Sequence, residues 1–194
     1  MARARQDDTK ERLGRAEWIN AGLQALAEQG VANVRVEVLA KRLSVTKGSF
    51  YWHFVDRNEF LAAMLESWRT ERTLAIGDLI KRKASDPRGR LAFLLKLSTD
   101  PESDSTPGGR VENAIREWAK TSDLARMALS RVDKERLAIL SNHYEGLGFR
   151  PAAARARAFL FLAYVIGANV LLRDLSDDMS AEQDECRAIL LSSM

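Results

Sequence analysis

The residues from Lys47 to His53 (Lys-Gly-Ser-Phe-Tyr-Trp-His) put an ammonium, a hydroxyl, a phenol, an indole and an imidazole within two helical turns. Such groups suit the binding of a polyanion, and no acid occurs from Val38 through Val55 to repel one. Phe50 and Phe54, four residues apart, can both face inward. That leaves Lys47, Gly48, Ser49, Tyr51, Trp52 and His53 at the start and on the outer side of a short helix. Thr46 is a good N-cap for that helix, so Thr46 and Lys47 sit where helix dipole, backbone amides and an ammonium would meet one phosphate. Lys47, Gly48 and Ser49 are the candidates for reading base edges, with Gly48 allowing close approach. Tyr51, Trp52 and His53 have two readings: phosphate contact, or packing against neighbouring helices.

A helix must precede this one to position it. Val38, Leu39 and Leu43 form an apolar stripe at helical spacing, and Ser44 to Thr46 cannot extend it. Two short helices around one tight turn, the second offering polar and aromatic groups outward, is the arrangement a major-groove reader needs.

Catalytic and metal readings find little support. The histidines are His53 and His143, and no Gly-x-Ser-x-Gly, Walker or His-Glu-x-x-His motif occurs. Asp100, Glu102 and Asp104 resemble a calcium loop, yet Ser105 and Val111 stand where glycine and glutamate are required. We expect no enzyme, no metal and no cofactor. The single cysteine, Cys186, excludes an internal disulfide and reads as a small core residue. Net charge +3 and an isoelectric point near 9.2 are only mildly basic, so nucleic-acid binding rests on the local pattern. The start, Met1 to Asp7, lacks a signal peptide's apolar segment, which leads us to expect a cytoplasmic protein. Arg3 and Arg5 could enter a minor groove or form an unbound tail.

Helical patterns run along the whole chain, and no alternating strand is found, so the expected class is all-α. A first helix is predicted from Asp8, with Asp8 and Glu11 at capping-box spacing. Leu13, Ile19, Leu23 and Leu26 form its buried side, and Gly30 is its left-handed cap. Another opens at Asp56 with Glu59 and could continue to about Lys83, roughly 40 Å of rod at 1.5 Å per residue. Further helices are expected around Leu91–Leu95, over 110–120, from an Asp123 cap to about Glu145, over 152–175, and from Ser180 with Gln183 as a capping box. Residues 100–109 read as a loop. The run 158–172 is apolar on all sides but shorter than the roughly 20 residues of a membrane span. We therefore expect no membrane; one side should pack on its own domain and the other on a second copy.

The segment Gly30 to Leu61 resembles the DNA-binding domain of the tetracycline-repressor (TetR) family. The resemblance is carried by a glycine ending the first helix, Leu39-Ala40, the run VTKGSFYWHF, and Arg57-Asn58-Glu59-Phe60-Leu61. Two positions depart from the family pattern: Val34-Arg35-Val36 replaces a hydroxyl-bearing helix entry, and Leu43-Ser44 replaces Ala-Gly in the turn. The resemblance adds Arg35, meeting a phosphate, and Val36 to the DNA-facing set, and through "Y-x-H-F" it implies phosphate contact for Tyr51 and His53. More loosely, ENAIREWA, VDKERLAIL and RARAFLFLAYVIG echo the family's C-terminal domain.

The division implied is a DNA-binding domain over 8–56 (helix-turn-helix about 34–54), a connecting helix over 57–83, and a ligand-binding and dimerisation domain over 84–194. Trp68, Phe93, Asn113, Trp118, Phe161, Tyr164 and Asn169 are the expected cavity residues, and Glu112–Arg116 reads as a surface ion pair. The implied function is a homodimeric repressor on double-stranded operator DNA, released by a small-molecule effector. The alternative is a ligand-binding helical dimer with a vestigial head.

Overall fold

The structure is a computed structural model that describes residues 13–99, 106–171 and 179–192; the Arg3/Arg5 tail, the Asp8/Glu11 box and the calcium-like residues Asp100, Glu102 and Asp104 lie outside these. The described residues are all-α, and contacts divide the chain into a unit ending at Met64 and one beginning at Leu65.

In the first unit, α1 (Arg15–Gln29) starts after Gly14, so Leu13 is not helical. Gly30 ends α1 with φ 77° as expected, but ψ 172° makes its backbone extended rather than left-handed helical. After a 3-10 turn at Val31–Asn33 come α2 (Val36–Arg42) and α3 (Lys47–Tyr51). The helix α4 (Arg57–Arg69) follows, and the second unit begins within it. Asp56 and Glu59 open α4 as predicted: Asp56 Oδ1 accepts from Glu59 N–H at 2.8 Å, and Glu59 Oε2 accepts from Val55 N–H at 2.7 Å.

The core of this unit is aromatic. Trp18, Phe54 and Phe60 gather round Phe50 with ring centroids 5.1–5.3 Å from it. At Gly22 even a Cβ would come within 2.7 Å of Phe60 and Met64, so glycine is what lets α1 lie this close to α4.

Helical backbone continues past α4 through a π-helical turn, Thr70–Leu74, into α5 (Ala75–Lys83), so the long stretch to Lys83 is present. The remaining helices are α6 (Pro87–Thr99), α7 (Thr106–Trp118), α8 (Asp123–Gly146), α9 (Pro151–Leu171) and α10 (Ser180–Leu191). Proline opens α6 and α9, where its missing N–H costs nothing. Three boundaries differ from expectation. Gly108 and Gly109 are helical, because α7 starts before them. The α8 cap is Ser122, whose Oγ accepts from Ala125 N–H at 3.5 Å, and Asp123 is the first helical residue. Met179, not Ser180, occupies the α10 cap, and the Gln183 amide accepts from Arg187 instead.

The core of the second unit joins Leu91 and Leu95 of α6, Leu140 and Tyr144 of α8, Ala154, Ala158 and Phe161 of α9, and Leu190 of α10. Small Ala154 and Ala158, both fully buried, let α9 approach its neighbours closely. Tyr144 Oη donates to the Leu190 carbonyl at 2.9 Å, and burial pushes its pKa up to about 12. Cys186 is half-buried, short of the core place expected for it.

At 21 residues α9 is longer than its apolar run, and by length and composition alone it could cross a membrane. Ala154, Ala158, Phe161 and Leu162 nonetheless bury into the unit's core. Its opposite side is open: Phe159, Leu160, Val170 and Leu171 are exposed.

Candidate nucleic-acid interface and ligand cavity

The turn before α3 is built on Ser44, which stands at φ 56°, a left-handed position that glycine fills without strain. Thr46 occupies the α3 cap with extended backbone, but its hydroxyl makes no capping bond. Beyond it Lys47, Gly48, Tyr51 and Trp52 are exposed and Ser49 is half-buried. A Cβ on Gly48 would meet only Thr46 Oγ1, at 3.6 Å, so nothing inside the chain requires glycine there.

Trp52 is 88% exposed and Tyr51 61%, which rules out the reading that either ring mainly packs within the head. His53 differs. Its Nε2 lies 2.9 Å from the Leu13 carbonyl, which can only accept, so this nitrogen carries the proton and is engaged inside the head. The other ring nitrogen then carries a lone pair and offers a phosphate oxygen no N–H.

Two findings correct the sequence picture of charge. Lys47 Nζ donates to Glu37 Oε1 at 2.9 Å: this partner lies one residue before the start of the acid-free run. The bond from Lys47 holds the Glu37 carboxyl below its usual range. Arg35, at the cap of α2, is exposed, but the Val36 side chain is buried and can offer a ligand only its backbone. The head is braced from behind by Arg57, which donates to the carbonyls of Val34 (2.9 Å) and Val31 (3.1 Å), and by Arg42 paired with Glu28 at 2.7 Å.

The second unit holds a cavity of about 140 Å³. Of the seven expected residues it brings together Asn113, Phe161 and Asn169. Trp68 and Trp118 are buried and Phe93 and Tyr164 half-buried, all outside its lining. Trp68 instead packs its ring 5.6 Å from the Arg136 guanidinium. Burial raises the Tyr164 pKa, and its hydroxyl has no partner.

Sequence reasoning missed Thr73, Glu112 and Arg136 on the cavity wall. Glu112 is no surface partner: its side chain is 18% exposed and lies 2.8 Å from both Arg116 and Arg136, and Arg116 also holds Asp133 at 2.8 Å. Burial works to raise the Glu112 pKa, but the two guanidiniums outweigh it and keep the carboxyl below its ordinary value. The i,i+4 spacing of Glu112 and Arg116 was the available signal. Nothing local marks Arg136 or Thr73.

Two short helices around a tight turn, the second with an unburied outer row, define a helix-turn-helix DNA-binding module. Residues 19–64 match the sequence model of the bacterial regulatory proteins, tetR family. The HTH-type transcriptional regulator SrpR of Pseudomonas putida is 34% identical over 64 residues, a match covering 33% of this chain and 28% of that relative. Over this head the chain is similar to the tetR family of regulators. For the whole chain the likeness is one of fold. A transcriptional regulator from Rhodococcus sp. Rha1 superposes with TM-score 0.76 at 22% identity, covering 92% of this chain and 94% of that one. The regulator FadR from Bacillus subtilis, solved with stearoyl-CoA, gives 0.66 at 20% identity, covering 93% of this chain and 100% of that one.

Proposed function

We propose that the chain is a homodimeric transcriptional repressor that binds a pseudo-palindromic operator through α3 and is released by a small molecule held in the second unit. The observation that carries the reading is Trp52, 88% exposed one residue past a helix anchored by fully buried Phe50. Leaving a large ring in water forgoes about 2 kcal/mol of burial, which an outside partner can recover. Lys47, Gly48, Ser49 and Tyr51 share that face, and Thr46 and Arg35 supply phosphate contacts. The compartment is then the one that holds the DNA, the cytoplasm.

The open side of α9 supports a second copy as partner. Ala152, Ala156, Phe159, Leu160, Ala163, Gly167 and Val170 follow helical spacing along one face, mostly small or apolar. A C2 pair covering this face should bury more than roughly 1,000 Å² and set two α3 helices about 34–36 Å apart. An effector acts by preferring a dimer whose heads no longer match that spacing. The FadR complex supports a small-molecule occupant in this fold without saying which.

Selection of bound duplexes from a random pool, followed by footprinting, should return an inverted repeat with half-sites about one helical turn apart. Sedimentation should give a dimer that Phe159→Asp converts to monomer with loss of that binding. Recovery of unrelated duplexes whose binding does not respond to salt would leave the ligand-binding dimer with a vestigial head.

A further inference from the structure

Among the described residues of the second unit with a buried polar atom left unpartnered, Thr73 is the one that lines the cavity. It is 4% exposed, its Oγ1 has no hydrogen-bond partner, and it lines the cavity. A helical threonine commonly hands its proton to the carbonyl one turn back. Thr73 lies inside the π-helical turn Thr70–Leu74, where that ladder changes register and its hydroxyl makes no such bond. Single π turns of this kind are frequent at functional sites.

The charged groups lining the same cavity are spent on each other. Glu112 takes Arg136 and Arg116, and Arg116 takes Asp133, so two acids and two guanidiniums close a neutral group. A charged occupant would find no uncompensated partner and would still lose its hydration. The Asn169 amide is likewise engaged, its Nδ2 donating to Val165 and Ser98 carbonyls at 2.9 and 3.3 Å. Much of the remaining lining is hydrocarbon, including Ile76, Ile80, Leu94, Leu97, Phe161 and Ile166. A volume of about 140 Å³ is close to the roughly 150 Å³ of an apolar cavity that admits benzene.

We infer that this cavity takes a small uncharged molecule, with a hydrocarbon body about the size of one aromatic ring and one oxygen hydrogen-bonded to Thr73 Oγ1. The inference rests on reading the cavity as the effector site and adds the ligand class and the orienting group. Thr73 is not among the cavity residues expected from the sequence.

The test is a calorimetric titration of the full chain with four probes of similar size: benzyl alcohol, ethylbenzene, benzoate and benzylammonium. Benzyl alcohol should bind more tightly than either ion. Thr73→Val, nearly isosteric, should weaken benzyl alcohol by about tenfold and leave ethylbenzene within about twofold, while Thr73→Ser keeps the preference. A readout that needs no variant is the nuclear Overhauser contact between the benzyl alcohol methylene and the Thr73 methyl in the wild-type complex. Tightest binding by an ion, equal losses for both neutral probes in Thr73→Val, absence of that contact, or no binding at millimolar probe would each overturn the inference. These titrations contain no DNA, so their failure is separable from failure of the regulator reading. A probe that binds as expected but leaves duplex affinity unchanged upholds the site and removes only its sensor role.

Discussion

The two units treat charge and rings in opposite ways. In the head, the pairs Lys47–Glu37, Arg15–Glu59 and Arg42–Glu28 lie in water, while the interior is a cluster of four aromatic rings. In the second unit the most developed charge group, Glu112 with Arg116, Arg136 and Asp133, is largely enclosed and borders a cavity. Exposed pairs are weak and exchange readily with solvent or another charge. That suits a surface that must trade its own contacts for phosphates. Enclosed pairs are costly to separate, which suits a wall that keeps the shape of the cavity it borders.

Removing the centre of the aromatic cluster gives the largest expected effect. Phe50→Ala should cost the head about 3–5 kcal/mol. Scanning calorimetry should show a lowered transition for the head and an unmoved one for the second unit. One shared shift would mean that the two units are energetically a single body.

Glu112→Gln probes the other side of the comparison, because it strands the Arg136 guanidinium and leaves Arg116 with Asp133 alone. At pH 7 the cost should be about 3 kcal/mol. The Glu112 carboxyl is held below its ordinary value in the folded chain. Its ion pairs therefore contribute fully above the unfolded value of about 4.3, and the contribution is lost as pH falls through the lower folded value. Urea melts of both proteins should differ at pH 7 and converge in acid. A difference that does not change with pH would contradict the enclosed-pair account.

Smaller effects are expected at the turn and at the tip of the head. Ser44→Gly should stabilise the head by about 0.5–1 kcal/mol by relieving the positive φ, visible as a raised melting temperature. Trp52→Ala should change stability by less than about 0.5 kcal/mol, since its ring rests on little of the chain. A large loss on removing Trp52 would show that the ring buttresses the fold after all.

The head was largely legible in the sequence because its signals are local. Phe50 and Phe54 at i,i+4, Asp56 with Glu59, Gly30 and the outward row of α3 all lie within about thirty residues and act on their neighbours. Errors there came from single contacts that spacing does not encode: Glu37 reaching Lys47, Leu13 reaching His53, and Val36 turning inward. The second unit yielded its helices and the two-sided character of α9, but little of its cavity. Thr73, Glu112, Arg136 and Asn169 come from four different helical segments, and nothing in the spacing of one helix reports where another lies. Large apolar Trp68, Phe93 and Trp118 were expected at the cavity for their size, yet size equally suits core packing, and that is where Trp68 and Trp118 are.

The most direct test of the central claim, that α3 meets DNA, is a salt titration of duplex affinity for the wild type, Lys47→Ala and Glu37→Ala. The account predicts that affinity falls steeply with salt for the wild type. Lys47→Ala should weaken binding by about 1–2 kcal/mol and flatten the logarithmic slope by about one. Glu37→Ala should bind more tightly than the wild type, because it frees the Lys47 ammonium for a phosphate. Wild-type affinity and slope in both variants would contradict the claim.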